Sequence, residues 1–190
     1  MVYFTADTHF FHSNVIRLCK RPFHDLDDMT EKLIFNWNNV VTDKDEIYIL
    51  GDFSFKGKAN EVNDILKKLK GKKYLIKGNH DKYIDDKDFD GSHFEWVKDY
   101  FELFYKDKQF MLFHYPILEW NGFFRDKAIH LYGHVHNSVI TNINQKRRFD
   151  VLDGNRAFNV GVDMNNYAPV SADYIISLFE NYNPNCLGEQ

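Results

Sequence analysis

Only two cysteines occur in 190 residues, Cys19 and Cys186, and they lie too far apart to form a zinc or redox spacing. No apolar run approaches the roughly 18 residues that a membrane span requires. No charge sign dominates either: 24 Lys plus Arg stand against 28 Asp plus Glu, a net charge of −4. That balance argues against general adhesion to duplex nucleic acid or anionic membranes. There is no internal repeat and no low-complexity segment. The opening Met1-Val2-Tyr3-Phe4 reads as a strand rather than a cleavable leader. Together these absences predict a soluble protein of a reducing, cytoplasmic compartment.

What is present is ordinary in bulk. Hydrophobic residues at 44% and charged residues at 27% match a globular composition. The length predicts one domain, residues 1–190, able to bury roughly 70% of the surface its unfolded chain exposes. Only 181–190 reads as a loose tail. Two features depart from the average: 18 Phe with 11 Tyr, and nine histidines. The aromatics predict a bulky core or rim, and the histidines raise the question of metal.

Short apolar runs that stop at a polar residue organise the chain. Residues 2–6 stop at Asp7, 46–50 at Gly51-Asp52, 73–77 at Gly78-Asn79-His80-Asp81, and 128–132 at Gly133-His134. Each reads as a buried strand delivering polar groups at its C-terminal end. Helical spacing appears over 14–20 before Pro22, at Leu33, Ile34, Trp37 and Val40 after Thr30, and over 61–69 before Gly71. Strand, helix and strand over 46–77 predict a β-α-β unit. Residues 100–105 and 109–114 predict a hairpin ending at His114. A strand near 157–162 and a helix after Ser171 follow. Lys146-Arg147-Arg148 reads as a solvated basic loop. Helices alternate with strands early and strands dominate later, so two packed sheets with outer helices are expected.

The strand ends carry Asp7-Thr8-His9, Gly51-Asp52, Gly78-Asn79-His80-Asp81, His114 and Gly133-His134-Val135-His136. If the backbone stays extended, ligands at i and i+2 share a side. Asp7 with His9, or His134 with His136, then grip one ion or split between two. Asp, Asn and His donors without thiolate suit Mn, Fe, Zn, Co or Ni. Seven donors exceed a tetrahedral zinc site and suffice for two metals sharing a carboxylate. Singly, each set has a plain explanation, a turn-forming Asp or a packed His. Jointly, each closing an apolar run, they leave little room for coincidence.

The ordered set Asp-x-His, Gly-Asp, Gly-Asn-His-Asp, His, Gly-His-x-His resembles the calcineurin-like metallophosphoesterase superfamily, over Asp7 to His136. The resemblance implies an α/β fold, a four-layer α/β-β/α sandwich of two mixed sheets flanked by helices. A dinuclear metal site then sits at the C-terminal strand edges. It implies that Asp7, His9 and His136 hold one metal, Asn79, His114 and His134 the other, and that Asp52 bridges. It places His80 over the substrate phosphate. Asp81 either orients His80 or caps the turn. The opening motif and the late Asn159-Val160-Gly161-Val162-Asp163 resemble small, uncapped phosphodiesterase-like members of bacteria and phages.

The expected activity is hydrolysis of small phosphodiesters by in-line attack of a metal-bridging hydroxide, with two divalent ions, manganese first. His80 then gives a proton or hydrogen bond to the leaving or a phosphoryl oxygen. The chain lacks the arginine that protein phosphatases carry after Gly51-Asp52, and Asp81 stands where they have Glu. It also lacks room for the capping domains of DNA-repair nucleases. Anion-binding candidates outside the metals are His12, Asn14, Arg17, Arg21 and Arg125, the first four close enough to the Asp7-His9 strand end to reach the rim. Phe10, Phe11, Phe53, Phe55, Phe123 and Phe124 fall beside the motifs, as packing or as stacking surfaces. The sequence leaves open a nucleotide or dinucleoside pyrophosphatase, a phosphomonoesterase, a silent scaffold, or a dinuclear enzyme of non-phosphate substrates.

Overall fold

The computed structural model describes residues 1–138 and 156–180. The basic cluster at 146–148, Cys186 and the tail from 181 lie outside the described residues. Two mixed sheets stack face to face. The first has the order β4-β3-β2-β1-β9, built from Trp96–Lys98, Lys72–Ile76, Glu46–Leu50, Val2–Thr5 and Val170–Ser171. The second has the order β5-β6-β7-β8, from Tyr100–Tyr105, Lys108–Phe113, Ala128–Tyr132 and Ala157–Asn159. β1 to β4 run parallel and β9 antiparallel. β5 and β6 form the expected hairpin, while β6, β7 and β8 are parallel.

Side-chain alternation assigns each face. Val2, Phe4, Tyr48, Leu50 and Ile76 of the first sheet meet Phe110, Leu112, Ile129 and Leu131 of the second in one buried cluster. The alternate residues Tyr3, Ile47, Ile49 and Leu75 turn outward onto a second cluster, formed with the helices. Strands buried on both faces read as unbroken apolar runs, which is why they were visible in the sequence. Much of the aromatic excess lies here. Tyr48 stacks on Tyr74 at 4.6 Å, and Trp96 packs on Phe101 at 4.7 Å. On the outer face of the second sheet, the segment after β6 packs Trp120 and Phe123 on Met111 and Tyr132.

Three helices cover the first sheet, α1 (Ser13–Leu18), α2 (Leu26–Val40) and α3 (Ala59–Lys68), and α4 (Ala172–Glu180) packs at β1 and β9. α2 buries Met29, Leu33 and Trp37 at four-residue spacing. It begins four residues before Thr30, because the acidic stretch is its cap. Asp25 accepts the Asp28 amide at 2.9 Å, and Asp27 and Asp28 lie in the first turn, where the helix dipole favours negative charge. α3 also starts early, at Ala59, with Glu61 accepting the Lys58 amide. β4 and β9 were not foreseen. They have three and two residues, too short for a period to show. Among the described residues, no helix is long and apolar enough to cross a membrane.

Candidate metal centre

The loops after β1, β2, β3, β6 and β7 meet at one edge of the two sheets. Hydrogen bonds carry the β1–β2 pairing past the strands: Asp7 N to Gly51 O at 3.0 Å, His9 N to Asp52 O at 3.1 Å and Phe10 N to Phe53 O at 3.0 Å. The bridge between Ala6 and Gly161 ties this edge to the segment after β8. The expected extended geometry is not what brings the donors together. Asp7, His9, Asp52, His134 and His136 all have positive φ, between 47° and 69°. Non-glycine residues avoid that region unless the surroundings hold them there. The turns re-aim each side chain inward.

Two triads result. Asp7, His9 and His136 offer donor atoms within 4.8 Å of one another, and so do Asp52, His114 and His134. Asp7 and His9 therefore stay together, while His134 and His136 divide between triads. Asp52 lies between them, its Oδ2 3.5 Å from His9 Nε2 and 3.5 Å from His114 Nε2. Asn79 joins the second triad, with Oδ1 3.2 Å from His114 Nε2. The seven sequence candidates form one cluster. Glycine is required beside them: a Cβ on Gly78 would lie 2.3 Å from Asp52 N and Oδ1, and one on Gly133 2.6 Å from Asp7 Oδ2.

Electrostatics show what the cluster is suited to hold. Burial pushes Asp7 up to about 7, the nearby Asp52 adding to it, while His136, His114 and the His134 amide pull the other way. Burial drives His9 down to about 2, with His136 and Arg21 contributing. Its buried Nε2 has no hydrogen-bond partner among the described residues. A buried imidazole that burial keeps neutral, set beside two buried carboxylates, suits a cation, which favours all three groups at once. For Asp52, burial acts upward, but the hydrogen bond and charge of His114 and the His80 amide override it and bring it to about 2.

His80 is at the cluster but not within a triad. Its amide donates to Asp52 Oδ1 at 2.9 Å, and its half-exposed ring places Nε2 4.0 Å from Asp52 Oδ2. The ring edge rests on Phe55 at 4.7 Å. Of the two roles open to Asp81, the structure shows the turn cap. Its buried carboxylate accepts the amides of Gly78, Asp52 and Phe53, each at 2.8 Å, clamping the β2 and β3 loops together.

Arg21 is a correction. It is not a rim residue for substrate but is buried beneath the first triad. Its Nε and Nη2 donate to the two oxygens of Asp163 at 2.8 and 2.9 Å, and Nη2 and Nη1 to the carbonyls of Asp7 and Thr8 at 2.7 and 2.9 Å. A fork of five donors satisfies a turn of strained carbonyls in a way one lysine could not. Asp163 ends the Asn159–Asp163 motif, and its role is not legible from the sequence. Its Oδ2 meets His136 Nδ1 at 2.7 Å, so Nδ1 carries the proton and Nε2 is left for a metal. Burial lowers His136, but this hydrogen bond overrides it and raises His136 to about 10. Cys19 lies beside the same pair. Tyr115, also missed, donates its hydroxyl to Asn79 Oδ1 at 3.3 Å. Of the other rim candidates, His12 lies 3.3 Å from His9 and stacks on Phe55 at 3.8 Å, while Asn14 is exposed on α1.

Paired sheets with an aspartate–histidine cage at their shared edge define a metal-binding phosphoesterase. The chain belongs to the calcineurin-like phosphoesterase family, whose model matches residues 1–184. It is 38% identical to the uncharacterized protein MJ1445 of Methanocaldococcus jannaschii over 183 residues, 94% of this chain and 91% of that one. It is 30% identical to the Gene 66 protein of Mycobacterium phage L5 over 81 residues, 42% of this chain and 39% of that one. Among solved structures, the protein of unknown function AQ665 from Aquifex aeolicus matches with TM-score 0.71 at 29% identity, covering 94% of this chain and 98% of that one.

Proposed function

We propose that this phosphoesterase holds two divalent metals and hydrolyses small phosphodiesters. The observation that carries the reading is the place of Asp52, one oxygen of which lies 3.5 Å from a histidine of each triad. In this reading Asp7, His9 and His136 hold one ion, Asn79, His114 and His134 the other, and Asp52 bridges. The oxygen and imidazole donors suit manganese first, and also Fe, Zn, Co or Ni. Such ions supply Lewis-acid neutralisation of phosphoryl oxygens and a water acidified toward neutral pH.

The chain's own residues do the rest. His80, anchored through its amide and by Phe55, faces the phosphate and gives a proton or hydrogen bond to the departing or a phosphoryl oxygen. Asp81 holds the two loops that position Asp52 and Asn79. His12 and Asn14 stand nearest the rim on the α1 side for contacts with the rest of the ester. The edge, which no further element covers among the described residues, suits small substrates, in keeping with a cytoplasmic enzyme that binds neither duplex nucleic acid nor membrane.

Hydrolysis of bis-p-nitrophenyl phosphate after chelation and reloading tests this, with metal counted per chain. Two ions per chain and turnover with Mn²⁺ are expected, and His80→Ala should lower kcat by roughly 10²–10⁴-fold with both ions retained. One ion at saturation overturns the dinuclear site. No turnover with any of the five metals overturns the activity.

A further inference from the structure

On the His80 side of the cage, the surface opens into a cavity of about 280 Å³, walled by Phe55, Lys56, His80, Lys82, Tyr83 and Asp86. It lies between the loops after β2 and β3, which also present Asp52 and Asn79. His80 is the wall shared by cage and cavity. Its Nε2 is 4.0 Å from Asp52 Oδ2, and 37% of its side chain is open. On the reading that sets the phosphate against His80, a group departing past that ring meets this cavity.

The walls are of two kinds. Tyr83 is buried, and Phe55 is locked between the face of His12 at 3.8 Å and the edge of His80 at 4.7 Å. Phe55 therefore shapes the cavity rather than offering a free face to a base. The polar wall is cationic. Lys56 Nζ lies 5.2 Å over the Phe55 ring, and Lys82 is exposed at the rim. The one carboxylate in the lining, Asp86, has an oxygen committed to the Asp88 amide at 3.0 Å. Neighbouring acids are engaged elsewhere: Asp85 faces Lys77 at 4.0 Å, and Asp81 is buried on backbone amides. The lining thus sets two ammonium groups against one carboxylate, on a chain of net charge −4. A neutral leaving group gains nothing from them, whereas an anionic one gains charge-assisted hydrogen bonds.

We propose that this cavity is a leaving-group subsite for a second phosphate, so that preferred substrates are pyrophosphate-linked esters of the nucleotide type. The proposal rests on the phosphoesterase reading and deepens it. Water adds its oxygen to phosphorus, the bond from phosphorus to the bridging oxygen breaks, and that oxygen departs on the second phosphate with its electron pair. Lys56 and Lys82 hold the departing phosphate, and the proton released by water is shared with it or lost to solvent.

The test compares bis-p-nitrophenyl phosphate, whose leaving group has no second anion, with P1,P2-diadenosine diphosphate, whose leaving group is a phosphate monoester. Parent, Lys56→Gln, Lys82→Gln and the double variant are assayed on both at equal metal loading. The ratio of kcat/KM for the diphosphate over the aryl diester should fall roughly 10–100-fold in the double variant, chiefly through KM, as for lost charge-assisted contacts. An unchanged ratio, or equal loss on both substrates, overturns the subsite. If the parent cleaves neither substrate with any divalent metal, the phosphoesterase reading is what fails. Calorimetric titration of inorganic pyrophosphate into the metal-loaded proteins then decides the subsite: lysine-dependent binding sustains it, and equal binding in parent and double variant overturns it.

Discussion

Replacing Asp163 by Asn removes one charge and one acceptor from the most enclosed ion pair among the described residues. Asp163 and Arg21 side chains are both 0% exposed, and their contact is a two-pronged fork. The Asn oxygen can still serve Arg21 Nε, but an amide N–H would then face Arg21 Nη2 and His136 Nδ1, both donors. Breaking a buried pair from one side costs about 3–5 kcal/mol. The lower end applies, because Arg21 keeps the carbonyls of Asp7 and Thr8. At about 2–4 °C per kcal/mol for a chain of this size, the metal-free Tm should drop about 6–12 °C. A second effect separates positioning from packing. His136 is held at about 10 mainly by Asp163 against the pull of burial, so the parent near pH 8 must shed a proton there to bind metal. Without Asp163 the largest upward pull on that proton is lost, so fewer protons should be released on binding, and affinity should fall about 10–100-fold as the ring loses its fixed orientation. Scanning calorimetry with chelator gives the first number. Isothermal titration in two buffers of different ionisation heat gives affinity and proton count. A Tm within 2 °C of the parent refutes the energetic argument, and an unchanged proton count and affinity refute the positioning role.

Three further outcomes follow from the same edge. In the metal-free protein Asp7, raised to about 7, holds a proton that the unfolded chain has lost, so it destabilises increasingly as pH rises from near 4 to 7. His136 adds stability that is full below its ordinary value and lost as pH rises through about 10. Chelated protein should therefore melt lower at pH 9 than at pH 6, and saturating Mn²⁺ should flatten or reverse the trend. A chelated Tm that climbs over that range contradicts the assignment. Gly78→Ala would drive a methyl against Asp52 N and Oδ1, so metal content by atomic emission should fall below the parent value, with about 1–3 kcal/mol of stability lost. Full occupancy would show that the loops can yield. Asp81→Asn should cost about 1–3 kcal/mol for each amide left without an acceptor, read by urea unfolding, while the pH–rate profile keeps its shape. A displaced profile would restore Asp81 to a role in orienting His80.

The strands that carry the cage were legible because each is apolar on both faces and stops at a polar residue, as β1 does at Asp7 and β2 at Gly51-Asp52. The donor types were legible for the same reason. Their geometry was not. Left-handed turns are expected of glycine or asparagine, and here aspartate and histidine adopt them because neighbouring loops hydrogen-bond the backbone into place. Arg21 and Asp163 are 142 positions apart, and a charged residue in a sequence reads as solvated until its partner is seen. β4 and β9 escaped because two or three residues have no periodicity, and their pairing depends on a sheet that longer strands define.

The three tryptophans fall one to each packing layer. Trp37 sits under the helices with Nε1 on the Lys70 carbonyl at 3.0 Å, Trp96 lies between the sheets beside Lys98, and Trp120 seals the outer face near His130. Fluorescence can therefore watch the layers separately, using variants that keep one indole at a time. Coincident transitions would mean that the sandwich melts as a unit. Staggered ones would rank its layers by the order in which they let go.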